Sequence, residues 1–172
     1  MPVLKIRHYP DEVLRRKADE VQSVDEELRA LARDMAETMY DAPGVGLAAP
    51  QVGVSKRLMV IDCSPQDAPP ELITAVNPQI VEARGEAIEE EGCLSVPEFY
   101  AAVPRHTWVK VRYLDMEGRQ VEREAEGLLA VAFQHEIDHL DGVLFIDHLS
   151  SLKKSLFRKK YKKIMEQLQE AR

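Results

Sequence analysis

Apolar residues mark one face of a predicted helix that begins near Ser23 and ends at Pro43-Gly44. Ser23 and Glu26 stand three apart, which is the spacing of a capping box at a helix N-terminus. The apolar positions recur every three or four residues, at Val24, Leu28, Leu31, Met35 and Met39. This period predicts an amphipathic helix whose stripe packs on the core.

The middle of the chain carries the short runs that are typical of strands. Leu58–Ile61 is wholly apolar, and residues 72–81 form a second run that is interrupted by Asn77-Pro78, a turn or strand-edge signal. Residues 108–113 and 120–124 alternate between apolar and polar positions, with a hairpin connection between them. We therefore expect a mostly antiparallel sheet.

The pattern becomes helical again in the last third of the chain. Residues 128–140 are apolar on more than one side, which predicts a buried helix that Asp141-Gly142 ends. Residues 143–146 could form a short strand, and Ser150 or Ser151 can cap a last helix. The expected apolar positions of that helix are Leu152, Leu156, Ile164 and Leu168. The fold class is thus α+β: mostly antiparallel sheets around a central helix, with N- and C-terminal helices.

Composition is that of a folded, water-soluble domain. The 172 residues are 45% hydrophobic and 31% charged, which suits one domain with a real core and is too apolar for disorder. No apolar run approaches the roughly 18 residues of a membrane span. Residues 1–5 lack the charged-then-apolar pattern of a signal peptide, and two cysteines give no sign of an oxidising compartment. We therefore expect a cytoplasmic protein that does not enter a membrane.

Charge divides the chain at Ser150. Residues 151–172 hold eight basic and two acidic side chains, a net of +6, whereas residues 1–150 hold 15 basic and 28 acidic ones, a net of −13. We expect a single domain in which an acidic body, 1–150, carries a basic C-terminal helix, 151–172. Such asymmetry can mean that one end meets an anionic partner, although it usually marks only a solvated helix face.

A candidate metal site lies on the predicted central helix, where residues 135–139 read H-E-x-x-H. Residues four apart share one helix face, so His135 and His139 can bind one metal ion, and Glu136 can reach a water on that ion as general base. The alternative is two ordinary helix histidines. Zinc endopeptidases with this pattern take a third ligand downstream, but position 145 is Phe145, so that class lacks its ligand here.

A better third ligand lies upstream. Cys93 stands in the segment E-G-C-L-S, which we interpret as a tight turn, and a thiolate with two imidazoles makes a three-ligand catalytic site. In isolation Cys93 would more often be a buried free cysteine.

A third segment, residues 44–51, reads G-V-G-L-A-A-P-Q. It lacks the Lys-Ser/Thr of a phosphate-binding loop, and it could be a plain Gly-rich connection. However, Gln51 offers an amide that could stabilise an oxyanion.

Together these segments resemble the peptide deformylase family. The family's motifs G-x-G-x-A-A-P-Q, E-G-C-L-S and Q-H-E-x-D-H stand complete and in order at residues 44–51, 91–95 and 134–139. The resemblance spans essentially the whole chain, with residues 1–150 as the catalytic part. Three long motifs in order are far more specific than H-E-x-x-H alone. A non-catalytic protein that kept its metal ligands would need neither Glu136 nor Gln51.

The resemblance implies a function and a role for each motif residue. It implies a metal-dependent hydrolase that removes the formyl group from the N-terminal formyl-methionine of nascent polypeptides and releases formate. The metal would be one divalent ion, Fe²⁺ first, with Zn²⁺, Ni²⁺ or Co²⁺ as substitutes. The implied roles are metal binding for Cys93, His135 and His139, proton transfer for Glu136, the oxyanion hole for Gln51 and the backbone N–H of Leu94, and pairing with the substrate backbone for Gly46.

Three further expectations extend this interpretation. Leu128, Val131 and Ala132 share the helix face of the metal ligands and, with Val45, could line a pocket for the methionine side chain; plain core packing is the alternative. Glu91 and Arg105 could form an ion pair that holds the Cys93 turn. The basic C-terminal helix could dock on the phosphate-rich ribosome, whereas no motif indicates sequence-specific nucleic-acid binding.

Overall fold

The computed structural model describes residues 3–171. Met1 and Pro2 of the predicted leader-free N-terminus, and Arg172 of the basic tail, lie outside the described residues. Three α-helices, α1 (Glu26–Asp41), α2 (Gly127–Leu140) and α3 (Ser151–Glu170), combine with seven strands. The strands are β1 (Gly46–Ala48), β2 (Leu58–Ile61), β3 (Ile73–Arg84), β4 (Ala87–Cys93), β5 (Val96–Arg105), β6 (Trp108–Leu114) and β7 (Gln120–Glu126).

The strands form two antiparallel sheets, which confirms the predicted α+β class. Five strands pair in the order β1-β2-β3-β6-β7, and β4 pairs with β5 in a separate hairpin. β2 explains how the helices are arranged, because side chains alternate between the two faces of a strand. Leu58 and Val60 share a core cluster with residues of α1, whereas Met59 and Ile61 share one with residues of α2. The larger sheet therefore lies between α1 and α2, and β2 is buried on both faces.

The helix α2 is central, as its pattern predicted. Ala130, Phe133 and Leu140 are fully buried, and they pack with the sheet. A third cluster joins β5 to the last helix through Phe99, Phe157 and other apolar residues. None of the helices described is long and apolar enough to cross a membrane.

The first helix begins two residues later than its predicted capping box. Asp25, not Ser23, is the N-cap, and its carboxylate accepts a hydrogen bond from the backbone N–H of Leu28 at 2.9 Å. Asp25 directly precedes two acidic residues, Glu26 and Glu27, whose charges favour the helix N-terminus. The predicted capping box was therefore wrong, although the buried stripe of Leu28, Met35 and Met39 is confirmed.

Two strand predictions also need correction. β3 continues across Asn77-Pro78 as a bulge, because the Asn77 side chain bonds both backbone groups of Val21 and its φ of 50° accommodates the extra residue. Residues 143–146 are not a strand: Phe145–His148 form a 3₁₀ turn, since Asp147 accepts a hydrogen bond from the Leu144 N–H.

The last helix is capped by Ser150, whose hydroxyl accepts from the N–H of Lys153 at 3.2 Å. Its buried face differs from the predicted one. Leu152 and Leu156 are exposed, and Phe157 and Tyr161 are buried instead, whereas Ile164 is buried as predicted. The aromatic rings are the larger apolar surfaces, and they pack with Tyr9 and Phe99 from the body.

Candidate metal centre

The histidines of the H-E-x-x-H segment meet on α2. His135 and His139 are one helical turn apart, both are buried, and their Nε2 atoms lie 3.2 Å from each other. Burial, together with the neighbouring positive charge of Arg105, holds the pKa of His139 well below its usual range. A neutral imidazole is the form that binds a metal.

The thiol of Cys93 completes the group from another element. Cys93 is the last residue of β4, directly before the two-residue turn to β5, and its Sγ lies 3.3 Å from Nε2 of His139. The three ligand atoms all lie within 4.8 Å of one another. Ligands at the corners of a tetrahedron around zinc, with bonds of about 2.0–2.3 Å, are about 3.3–3.8 Å apart. The Cys93, His135 and His139 side chains therefore fit one metal ion.

A buried carboxylate orients the first histidine. Oε1 of Glu91 lies 3.0 Å from Nδ1 of His135, so Nδ1 carries the proton and Nε2 presents its lone pair to the site. Burial raises the pKa of Glu91, but the hydrogen bonds with His135 and Arg105 outweigh it and hold the pKa at about 2. Glu91 is therefore a carboxylate at neutral pH.

The predicted ion pair between Arg105 and Glu91 is confirmed. Arg105 donates to both carboxylate oxygens of Glu91, at 2.8 and 3.0 Å, and to Asp138 at 2.7 Å. Asp138 also lies 2.9 Å from Nε2 of His148. Arg105 thus ties the end of β5 to both β4 and α2. No role for Asp138 or His148 was predicted from sequence, and only the position of Asp138 three residues after His135 could have signalled its place.

Glu136 lies in the wall of the site beside Gly46. Its side chain is buried, and a Cβ added to Gly46 would lie 2.6 Å from Oε2 of Glu136, so only glycine leaves room for the carboxylate. Burial raises the pKa of Glu136 to about 7. Oε1 has no hydrogen-bond partner among residues 3–171. A carboxyl group with such a pKa can both take and give a proton near neutral pH.

The amide of Gln51 points toward the same site. Its Oε1 accepts a hydrogen bond from the N–H of Ala48 at 2.9 Å, which fixes the orientation of the amide group. Its Nε2 then donates to Oγ of Ser95 at 3.1 Å and lies 3.6 Å from Sγ of Cys93. Gln51 belongs to the short 3₁₀ helix Ala49–Val52, which has a proline near its start and directly follows β1.

A cavity of about 690 Å³ opens at these residues. It is lined by every predicted substrate-pocket residue and by the two predicted oxyanion-hole residues, namely Val45, Gly46, Gln51, Leu94, Leu128, Val131 and Ala132. Val45 and Leu128 are exposed at its mouth, whereas Ala132 is buried. The lining also includes Ile6, Phe99 and Tyr100, which no local sequence pattern predicts.

The metal-site geometry also bears on the endopeptidase alternative. Phe145 stands where that class would place a third ligand, and its ring packs 6.1 Å from the ring of His135. Phe145 is almost fully buried in the cluster that joins β5 to α3. This position thus supplies apolar packing beside the site, and the third candidate ligand comes from β4.

Comparisons with known proteins point to one family. The model of the polypeptide deformylase family matches residues 3–155. A peptide deformylase of Thermodesulfovibrio yellowstonii is 53% identical over 162 residues, which cover 94% of this chain and 98% of that relative.

Solved structures give the same result. The crystal structure of a peptide deformylase from Legionella pneumophila is 50% identical and superposes with a TM-score of 0.92, covering 99% of each chain. The peptide deformylase from Ehrlichia chaffeensis, solved in complex with actinonin, is 40% identical with a TM-score of 0.88, covering 95% of this chain and 98% of that one.

Proposed function

The chain belongs to the peptide deformylase family of enzymes, and from that premise we propose that it removes the formyl group from N-terminal formyl-methionine of nascent polypeptides and releases formate. One observation carries the proposal. The metal-ligand candidates Cys93 and His135, the carboxyl group of Glu136 and the amide of Gln51 line a single cavity, and Nε2 of the third ligand, His139, lies 3.3 Å from the Cys93 sulfur. Formate release from formyl-Met-Ala-Ser tests it directly.

Cys93, His135 and His139 would hold one divalent metal ion, with Fe²⁺ as the working ion and Zn²⁺, Ni²⁺ or Co²⁺ as substitutes. Such an ion lowers the pKa of a water ligand and so supplies hydroxide near neutral pH. Metal analysis after anaerobic purification, paired with activity, tests the choice of metal. We expect iron and the highest rate without oxygen, and loss of both on exposure to air.

The protein groups would divide the chemistry among them. Glu136 takes the proton of the attacking water and returns it to the leaving amine, which its pKa of about 7 allows. The amide of Gln51 and the backbone N–H of Leu94 donate to the oxygen of the formyl group as negative charge develops there. One such donor stabilises a transition state by about 3–4 kcal/mol. Gln51→Ala is therefore expected to lower kcat with little change in KM.

The cavity walls would select methionine. Leu128, Val131 and Ala132 present one face of α2 to the cavity, and Val45 also lines it. Gly46 belongs to β1, the edge strand of the larger sheet, so its backbone is available to pair with an extended substrate. A Val131→Trp enzyme that still preferred formyl-methionyl peptides would contradict this pocket.

Two alternatives to deformylation, an endopeptidase activity and metal binding without catalysis, can be distinguished from it by experiment. A zincin-like endopeptidase would digest casein, and we expect no digestion under conditions that release formate from formyl-Met-Ala-Ser. A metal-binding protein without activity would bind metal and release no formate. Endopeptidase activity without formate release would overturn the proposed function.

We also propose that α3 docks on the ribosome, so that the enzyme meets its substrate in the cytoplasm. The helix belongs to the same domain as the catalytic part. Phe157 of α3 is buried, and the Tyr161 hydroxyl donates a hydrogen bond to the backbone carbonyl of Tyr9. Six basic side chains of α3 are exposed, namely Lys153, Arg158, Lys159, Lys160, Lys162 and Lys163. They can pair with phosphates in a salt-dependent manner.

Charge removal tests docking more cleanly than truncation. Deletion after Ser151 would also remove Phe157 and Tyr161 from the core. We expect a Lys159→Gln/Lys163→Gln variant to lose ribosome co-sedimentation at low salt while it keeps its activity on formyl-Met-Ala-Ser. A matched control exchanges two acidic-body lysines, Lys17 and Lys56. Binding that neither salt nor the α3 variant weakens would show that the basic face is only solvated.

A further inference from the structure

The connection between α1 and β1, residues 42–45, forms part of the cavity wall and is packed tightly on that side. A Cβ added to Gly44 would lie 2.8 Å from Cδ1 of Leu94, and one added to Gly46 would lie 2.6 Å from Oε2 of Glu136. The N–H of Gly44 donates to the carbonyl of Met39 at 2.8 Å, which sets the turn out of the helix. A small displacement of this connection would therefore change its contacts with Leu94 and Glu136, which line the same cavity.

Asp62 holds the same connection from the opposite side. It directly follows β2, it is 7% exposed, and its backbone N–H donates to the carbonyl of Val45 at 2.8 Å. Its side chain accepts a hydrogen bond from the hydroxyl of Tyr40, near the end of α1, at 2.6 Å. Asp62 therefore contacts Tyr40, which precedes the connection, and Val45, which ends it.

The carboxylate of Asp62 is itself fixed. The backbone N–H and the hydroxyl of Ser64 donate to its Oδ1 at 2.9 and 2.6 Å, which leaves Oδ2 for Tyr40. A hydrogen bond to a carboxylate is stronger than one between neutral groups. Tyr40 is the partner that links this fixed point to α1, and the residue is 46% exposed, so its hydroxyl can be removed without a cavity in the core.

We infer that Tyr40 is a positioning residue for substrate binding: its hydrogen bond to Asp62 holds residues 42–45 against the cavity, so that the backbone of Gly46 stands ready to pair with the peptide. The inference rests on the proposed function, because it concerns the strand that would bind the substrate. The hydroxyl contacts no cavity residue that we assign to the chemistry, so its loss affects binding of the peptide backbone rather than the bond-breaking step.

The test compares Tyr40→Phe with the wild type on two substrates, formyl-Met-Ala-Ser and formyl-methioninamide. We expect KM for the tripeptide to rise about fivefold or more while kcat stays within about twofold, which is the signature of lost binding. The amide offers little backbone to pair, so its KM should rise less. The control is Tyr113→Phe on β6. It removes a hydroxyl that accepts a hydrogen bond from Nε of Arg123 at 3.3 Å, and it should leave KM and kcat for both substrates unchanged.

Hydrogen–deuterium exchange adds a readout that needs no substrate. In Tyr40→Phe, peptides that cover residues 42–48 should exchange faster, and those of β6 should not. Asp62→Ala provides a second variant, and the double variant should be no worse than the more affected single one, because both remove the same hydrogen bond.

Two results would overturn the inference. One is unchanged exchange and unchanged KM in Tyr40→Phe. The other is an equal loss on both substrates, which would mark a general effect on the fold. A wild-type protein that releases no formate would refute the proposed function instead, and the exchange measurement would then still decide whether Tyr40 holds the connection.

Discussion

Removal of Arg105 would separate the support of the metal centre from its ligands. The Arg105 side chain is 6% exposed and donates to Glu91 through two nitrogens and to Asp138 through the third. Arg105→Ala leaves two carboxylates without their cation, and that of Glu91 is only 7% exposed. Glu91 would then hold Nδ1 of His135 less firmly, and the imidazole would lose its fixed orientation.

The loss of Arg105 should lower both the free energy of unfolding and the affinity for the metal. Removing one partner of a buried ion pair costs about 3–5 kcal/mol of unfolding free energy. We expect the lower end, about 3 kcal/mol, because Glu91 keeps its hydrogen bond with His135. For a chain of this size that corresponds to a fall in Tm of about 6–12 °C. Loss of a group that orients a metal ligand lowers metal affinity by about 10–100-fold.

Urea unfolding and competition with a chelator measure the two effects separately. The control is Arg33→Ala, which breaks an exposed ion pair with Glu26 on α1 and should cost under about 1 kcal/mol without affecting the metal. Arg105→Lys should restore the charge but not the two-pronged contact with Glu91, and so recover only part of the affinity. A variant that unfolds more easily but holds its metal as tightly as the wild type would refute this account of Arg105.

Three further predictions concern other parts of the molecule. Gly46→Ala should lower kcat by about tenfold or more with metal content unchanged, because the new methyl group displaces the carboxylate of Glu136; steady-state kinetics with metal analysis checks this. Burial raises the pKa of Asp62, but the hydrogen bonds from Ser64 and Tyr40 outweigh it and hold the pKa at about 2, below its ordinary value of 3.8. The stability that Asp62 contributes is therefore present above pH 4 and is lost as the pH falls to about 2. We expect a loss of about 1–2 kcal/mol after allowance for screening near the surface, visible as the difference between wild-type and Asp62→Asn acid titrations. Ser150→Ala should cost about 1 kcal/mol in urea unfolding through loss of the α3 cap, whereas Ser151→Ala should cost a few tenths.

The parts of the site that a single helix determines could be predicted from sequence. His135 and His139 share a face because four residues make about one turn, and their Nε2 atoms are indeed 3.2 Å apart. The place of Cys93 could not be derived in this way, since it depends on how β4 pairs with β5 and packs on α2. Its assignment depended on the motif E-G-C-L-S, and the structure brings that motif to the histidines.

Errors arose where tertiary contacts override local pattern. Residues 143–146 have the apolar composition of a strand, but the carboxylate of Asp147 closes a 3₁₀ turn there. Asn77 interrupts the pattern of β3, yet its side chain bonds Val21 and lets the strand continue. The β4–β5 hairpin was missed because its residues do not alternate cleanly, and Arg105 at its end is buried only through its ion pairs.

The most direct test of the central claim is formate release by anaerobically purified enzyme, measured beside metal content for the wild type and Glu136→Ala. Glu136 lies next to His135 in sequence and contributes no atom to the three-ligand metal group. We predict about one metal ion per chain in both proteins, formate equal to the formyl-Met-Ala-Ser consumed by the wild type, and a rate about 10²–10⁴-fold lower for the variant. Equal rates for the two metal-loaded proteins, or a metal-loaded wild type that releases no formate, would contradict it.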